Sequence, residues 1–402
     1  MAIQVKMPTI PITEIEQSAF CQTDEELKSK TLEEEFSAGV QWQKIPIRYL
    51  KMSPEELDIR IGEARAKLAE RVVLLGHHYQ RNEIIKYADY RGDSFKLSQL
   101  AASKKDAEHI VFCGVHFMAE TASILSGDDQ KVILPNLTAG CSMADMAHID
   151  DVLDCWDDLA DVLGDHGCIT PITYMNSTAA IKALCGRNNG IVCTSSNATA
   201  TFKWAFERAR RVLFLPDQHL GRNTAVKLGI RPDEMLVWNP FKPLGGHTKD
   251  ELRGAKVILW QGHCSVHTRF SVEQIEKARR THPDVRVIVH PECFMEVVQA
   301  ADLHGSTEFI LRTISDSAPS SVWAVGTEIS LVNRIAQDNP DKTVQCLDSV
   351  VCPCSTMYRI HPAYLAWVLD GLNAGVTVNE IRVEADIAEE ARIALDRMLA
   401  IV

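Results

Sequence analysis

From about residue 54 onward, short apolar runs rich in β-forming residues alternate with amphipathic stretches of helical period, and no other property of the chain restricts its fold as strongly. Ser53-Pro54-Glu55-Glu56 reads as an N-cap, a proline at the first helical position and acidic first-turn residues, opening a helix that ends near Glu70. VVLLGHHYQ follows as a buried strand. The later runs are HIVFCGV, KVILPN, CITPITYMN, GIVCTSS, RVLFLPD, KVILWQG, VRVIVHPE, EFILRTIS, SVWAVGT and TVQCLDS, with helical segments such as FMAETASIL between them. Apolar strands alternating with helices specify parallel sheets covered on both faces, an α/β architecture.

Three strand ends carry functional groups two residues apart: His77 and Tyr79, Tyr174 and Asn176, His290 and Glu292. Residues i and i+2 of an extended segment share a face, so each end projects its pair in one direction. Cys141 follows His77 by 64 residues, Cys354 follows His290 by 64, and Cys264 follows Tyr174 by 90. The pattern reads either as a triplication with a longer middle unit, its strand ends facing one shared site, or as chance similarity among the strand ends of an α/β protein.

At 402 residues, 46% hydrophobic and 24% charged, the chain is long enough for several domains with buried cores. A net charge of −12 argues against a nucleic-acid or anionic-membrane surface and leaves room for small anions in a locally basic pocket. No run reaches 18 apolar residues, and the opening MAIQVKMPTIPITEIEQ lacks the basic and apolar regions of a signal peptide, so a cytosolic protein is expected. The residues before about 45, with the acidic TDEELKSKTLEEEF, read as a loosely packed extension.

Twelve irregularly spaced cysteines read as core thiols or metal ligands rather than a disulfide scaffold. Cys113, Cys193 and Cys346 lie in or at the end of apolar strands and suit small buried hydrophobes. Cys21, Cys155, Cys168 and Cys185 lack partner residues nearby and receive no function. Cys141 in LTAGCSMAD, Cys264 in WQGHCSVH and Cys354 in VCPCSTM differ, because glycine or proline turns expose the thiol and backbone N–H groups at a helix start stabilise a thiolate. Three thiolates from separated loops suit a [4Fe–4S] cluster with one open, Lewis-acidic iron, or a structural zinc that recruits His263 or His267 as fourth ligand. No CxxxCxxC occurs, which disfavours a radical-generating cluster.

GHHYQ (76–80), GDS (92–94), GVHFMAETA (114–122), AGCSMAD (139–145), YMNST (174–178), CTSSNA (193–198), LPDQHLG (215–221), WQGHCSVH (260–267), HPEC (290–293), GST (305–307), GTE (326–328) and CPCSTM (352–357) occur in this order, and together they resemble the quinolinate synthase family over about residues 54 to 372. The resemblance implies three homologous α/β/α sandwich domains with parallel sheets, in pseudo-threefold arrangement around a central iron–sulfur site. On this chain they would be 54–150, 151–266 and 267–372, between an N-terminal extension (1–53) and a C-terminal helical tail (373–402). It also implies a transferase of NAD biosynthesis that condenses iminoaspartate with dihydroxyacetone phosphate to quinolinate, losing phosphate and two waters, with functional coupling to L-aspartate oxidase. The implied [4Fe–4S] ligands are Cys141, Cys264 and Cys354, whereas Cys352 and Cys293 match cysteines that are not ligands.

By the same resemblance Tyr79 and Glu292 form the acid–base pair, and His77, His267 and His290 hold substrate carboxylates. A carboxyl beside a phenol in a water-poor pocket is expected to titrate high. Ser195, Ser306 and Thr307 match a phosphate cradle; Ser94, Tyr174 and Asn176 match contacts to iminoaspartate and later intermediates; Phe117 and Met118 suit an apolar wall. CGRNNG (185–190) is an addition relative to the family pattern, and EADIAEEARIALDRMLAIV is an amphipathic helix expected to pack on the body. Another [4Fe–4S] hydro-lyase, or a non-catalytic iron–sulfur or zinc sensor, stands as the alternative.

Overall fold

The structure, a computed structural model, describes residues 20–21, 30–37 and 40–401; residues 1–19 and 22–29, which hold much of the stretch read as a loose extension, lie outside the described residues. The helix expected from residue 54 runs Pro54–Leu68. The Ser53 hydroxyl accepts the Glu56 N–H, and Glu56 accepts the Ser53 N–H in return.

Among the described residues the strands form three sheets. In the first, β1 (Val72–His77), β2 (Tyr90–Gly92), β3 (His109–Cys113) and β4 (Lys131–Ile133) are parallel, in the order β2-β1-β3-β4. In the second, β5 (Ile169–Tyr174), β6 (Ile191–Cys193), β7 (Arg211–Leu215), β8 (Met235–Trp238) and β9 (Val257–Trp260) are parallel, in the order β6-β5-β7-β9-β8. In the third, β10 (Arg286–Val289), β11 (Leu303–His304), β12 (Val322–Gly326) and β13 (Thr343–Cys346) are parallel, in the order β11-β10-β12-β13. Helices between the strands flank these sheets, and β1 and β5 are buried almost throughout, which is why they read as unbroken apolar runs.

Each sheet places its second strand beside its first and its third on the other side. The middle sheet adds β8, with the helix Lys249–Gly254, before β9. That insertion takes up the longer spacing from Tyr174 to Cys264, 90 residues against 64 in the other two units. Where consecutive connections leave a strand pair in opposite directions, a crevice opens at the carboxyl ends, so each sheet offers its site at the ends of its first and third strands.

Three expectations change. EFILRTIS lies in a helix, Thr307–Ser315, because Ser306 caps it and buried Ile310 and Ile314 recur at i, i+4 rather than alternating. The paired groups at the strand ends do not continue an extended segment: β1 ends at His77, and the next turn brings the Tyr79 N–H onto His77 Nδ1 at 3.1 Å. The segment after 372 also supplies β14 (Glu380–Ile381), antiparallel to β4, before the helix Ala385–Ala400.

The described part of the extension is tied to the body. Phe20, Leu32 and Glu35 are buried, the Glu35 carboxylate pairs with buried Arg81 at 2.8 Å, and Cys21, read as functionless, is disulfide-bonded to Cys352. Among the described residues no helix is long and apolar enough to cross a membrane.

Candidate functional site

One cavity collects residues from all three sheets. Cys141, Cys264 and Cys354 line it, each in the loop that follows the last parallel strand of its sheet to contribute before the site. Burial raises all three thiols above the ordinary cysteine range, and Cys141 and Cys264 are raised further by the sulfur charge of Cys354. Ionising three neighbouring thiols in a largely desolvated pocket is costly unless a cation shares the space. The donor set therefore fits a cationic, thiolate-bound centre, and no fourth cysteine lines the cavity among the described residues. Cys264, His267 and Glu292 also bring donor atoms within 4.8 Å of one another, close enough to hold a single ion. Both nitrogens of His267, however, already face partners.

Those partners form a chain of hydrogen bonds. His267 Nδ1 lies 2.8 Å from Glu292 Oε2, and His267 Nε2 lies 3.1 Å from the hydroxyl of Thr327. The Thr327 hydroxyl is 2.8 Å from the Tyr79 phenol, and the Tyr174 phenol donates to Glu292 Oε1 at 2.6 Å. A carboxylate only accepts, so the imidazole places its proton on Nδ1; Nε2 then accepts from Thr327, and the Thr327 oxygen accepts from Tyr79. The order of parts, hydroxyl to imidazole to carboxylate, is the one that activates nucleophiles and bases in unrelated hydrolases.

Electrostatics follow this geometry. Burial opposes ionisation of Glu292, but His267 and His290 and the bonds from His267 and Tyr174 outweigh it and hold the carboxyl below its ordinary value, the reverse of the elevation expected beside a phenol. Burial and the Glu292 charge push both phenols well above their ordinary value, so Tyr79 and Tyr174 keep their protons at neutral pH. Burial drives His290 down to about 3 and His77 well below its ordinary range. The Nδ1 atoms of His77 and His290 accept the backbone N–H groups of Tyr79 and Glu292, so each neutral ring presents Nε2–H as a donor.

Of the other residues singled out in the sequence, Ser94, Asn176, Ser195 and Thr307 line the cavity together with Phe117 and Met118. The Asn176 Oδ1 is buried without a partner and is suited to accept from a ligand donor. His267 and Ser306 stand behind the lining, His267 in the chain just described and Ser306 as the cap of the helix Thr307–Ser315. His263 is not part of the lining. Tyr79 reaches Glu292 through His267, both directly at 3.4 Å and by way of Thr327, and the phenol in direct contact with that carboxylate is Tyr174.

Sequence reasoning passed over Thr327 and Glu328, although GTE was among the motifs, because their partners are remote in the chain. It also passed over Arg334, whose guanidinium clasps the carbonyls of His78 and Gln80 at 2.8 and 2.6 Å, one on each side of Tyr79.

Residues 60–400 match the family model described as quinolinate synthetase A protein. The chain is 59% identical over 360 residues to the quinolinate synthase of Corynebacterium glutamicum, covering 90% of this chain and 91% of that one. It is 55% identical over 355 residues to the quinolinate synthase of Herpetosiphon aurantiacus (88% and 94% covered) and 54% identical over 359 residues to that of Geobacillus kaustophilus (89% and 97% covered).

Proposed function

Because the chain belongs to the quinolinate synthetase A protein family, we propose that it is a quinolinate synthase acting in NAD biosynthesis, condensing iminoaspartate with dihydroxyacetone phosphate and releasing phosphate and two waters. The observation that carries this reading is the meeting, at one cavity, of three half-buried thiols with Tyr79 and Glu292, which Thr327 and His267 link from behind the lining. Cys141, Cys264 and Cys354 would hold a [4Fe–4S] cluster, which when bound supplies a Lewis-acidic iron with a position open to substrate oxygen or nitrogen.

Tyr79 donates a proton to a departing oxygen. It can accept a substrate proton as its own leaves through the Thr327 hydroxyl to His267 Nε2, with the Glu292 carboxylate stabilising the imidazolium that forms. The Nε2–H groups of His77 and His290 serve as donors to substrate carboxylates, and Asn176, Ser94 and Tyr174 fix the iminoaspartate-derived part. Ser306 and Thr307, at the start of the helix Thr307–Ser315, receive the phosphate together with Ser195, where hydroxyls and a helix N-terminus favour a dianion. The same reading divides the chain into three homologous units, 54–150, 151–266 and 267–372, flanked by the extension and the tail, and places the protein in the cytoplasm beside an L-aspartate oxidase.

The test is anaerobic reconstitution with iron and sulfide, followed by assay for quinolinate from the two substrates. Cys141→Ala, Cys264→Ala and Cys354→Ala are expected to lose the brown chromophore and the activity, whereas Cys352→Ala keeps both. Activity that survives removal of iron would overturn the reading.

A further inference from the structure

Glu328 follows Thr327 directly, two residues past β12, and its side chain caps the helix that begins there. The residue is 1% exposed, yet four donors converge on its carboxylate. Oε2 accepts from the backbone N–H groups of Ser330 at 2.8 Å and Leu331 at 3.3 Å, which caps the helix Ile329–Asp338. Oε1 accepts from the Ser330 hydroxyl at 3.1 Å and from the backbone N–H of Cys354 at 3.2 Å.

The last of these bonds joins separate parts of the fold. Cys354 opens a helix of only four residues, Ser355–Tyr358, after a loop tied at Cys352 by the disulfide to Cys21, and so short a helix does little by itself to fix the thiol. The helix Ile329–Asp338 is better anchored: Leu331, Val332 and Ile335 are buried, and Arg334 clasps the turn that carries Tyr79. Two consecutive side chains thus tie both halves of the site to one helix, Thr327 to the Tyr79 phenol and Glu328 to the Cys354 loop.

We propose that Glu328 is a positioning residue that holds the Cys354 sulfur in register with Tyr79 and His267 by accepting the Cys354 N–H. The proposal rests on the reading of Cys354 as a thiolate ligand. Its chemistry requires a carboxylate of this length. Glutamine has one acceptor oxygen and one NH2 group, so it must set donor against donor either at Cys354 or at the helix start. Aspartate still caps the helix but falls one methylene short of Cys354.

The test compares wild type, E328Q, E328D and T248A after anaerobic reconstitution. Thr248 caps the helix Lys249–Gly254 with its own side chain, so T248A reports loss of a cap away from the ligand loop. Iron and sulfide per chain are measured, then the rate at which a ferrous chelator bleaches the cluster absorbance, with Tm recorded for each protein. E328Q and E328D are expected to bleach about 10-fold faster than wild type, the scale found when a partner supporting a metal ligand is removed, whereas T248A keeps the wild-type rate. Should E328Q fail to fold, E328D carries the comparison. Bleaching of either Glu328 variant at the wild-type rate, or equal acceleration in T248A, would overturn the proposal and leave the cluster assignment standing. A wild type that takes up no iron would overturn both.

Discussion

At Thr327 one hydroxyl bridges the Tyr79 phenol at 2.8 Å and the His267 imidazole at 3.1 Å, and the functional reading depends on that bridge. Valine has nearly the same shape without the oxygen, so Thr327→Val should leave the apolar packing in place and remove the better bridge, leaving the Tyr79 phenol only its long 3.4 Å contact with His267 Nε2. An acid–base path contributes roughly 10²-fold or more to kcat, so weakening it should cost up to about that factor, whereas Thr327→Ser retains the hydroxyl and most of the rate. Initial rates of quinolinate formation, normalised to iron content, decide the matter; a Thr327→Val enzyme with wild-type kcat would remove Thr327 from the relay. This bridge was not legible in the sequence. His267, Glu292 and Tyr79 each stood out by residue type, but a threonine after a strand glycine is ordinary, and its partners lie 248 and 60 residues away. The direction of the Glu292 shift was hidden for the same reason, since it depends on two imidazoles, one of them His290, whose ring stacks on His267 with centroids 4.5 Å apart.

Elements were read more readily than their partners. Unbroken apolar runs announced β1 and β5 because parallel strands buried on both faces need no alternation. The short β2, β8, β11 and β14 gave no such signal, and the Thr307–Ser315 helix imitated a strand because four apolar residues fall within it. The addition CGRNNG acquires its meaning from an element almost 200 residues later. Gly186, in the helix Ala179–Arg187, lies so close to the backbone of Glu390 that a Cβ would collide with its carbonyl oxygen. The Gly190 carbonyl accepts from Arg397 at 2.6 Å. These residues form a docking surface for the helix Ala385–Ala400, away from the cavity. Gly186→Ala should therefore force the two helices apart, at a cost of about 1–3 kcal/mol of overpacking, while leaving kcat unchanged. Urea titration together with hydrogen exchange on the C-terminal helix would detect it, and wild-type protection there would contradict the close contact.

For the whole molecule, the recurrence of one strand order in three sheets explains why groups from residues 77 to 354 meet in one cavity, and the two 64-residue spacings foreshadowed it. What spacing alone could not decide was whether the three crevices face one another, because that depends on packing between sheets. The extension shares in this packing through His361. Its Nδ1 accepts the Ala363 N–H at 3.0 Å, capping the helix Pro362–Asn373, and its Nε2–H donates to the Lys30 carbonyl at 3.0 Å. Protonation would set Nδ1–H against the Ala363 N–H in a site where burial already lowers the imidazole to about 3. A histidine depressed on folding contributes stability that is complete above its unfolded value near 6.5 and is lost as pH falls from there toward the folded value. Between pH 6 and 4 that loss approaches about 1.4 kcal/mol per pH unit. Total stability is a poor readout, because buried Asp217 and Glu328 are shifted upward, Glu328 to about 7, and such carboxyls stabilise the fold as pH falls through their raised values. The difference between wild type and His361→Asn isolates the imidazole, since asparagine caps the helix without titrating. Measured by urea unfolding of the metal-free proteins, the wild-type advantage should be constant above pH 7 and shrink by about 1.4 kcal/mol per unit below pH 6; a difference independent of pH would mean that His361 is not held neutral by this packing.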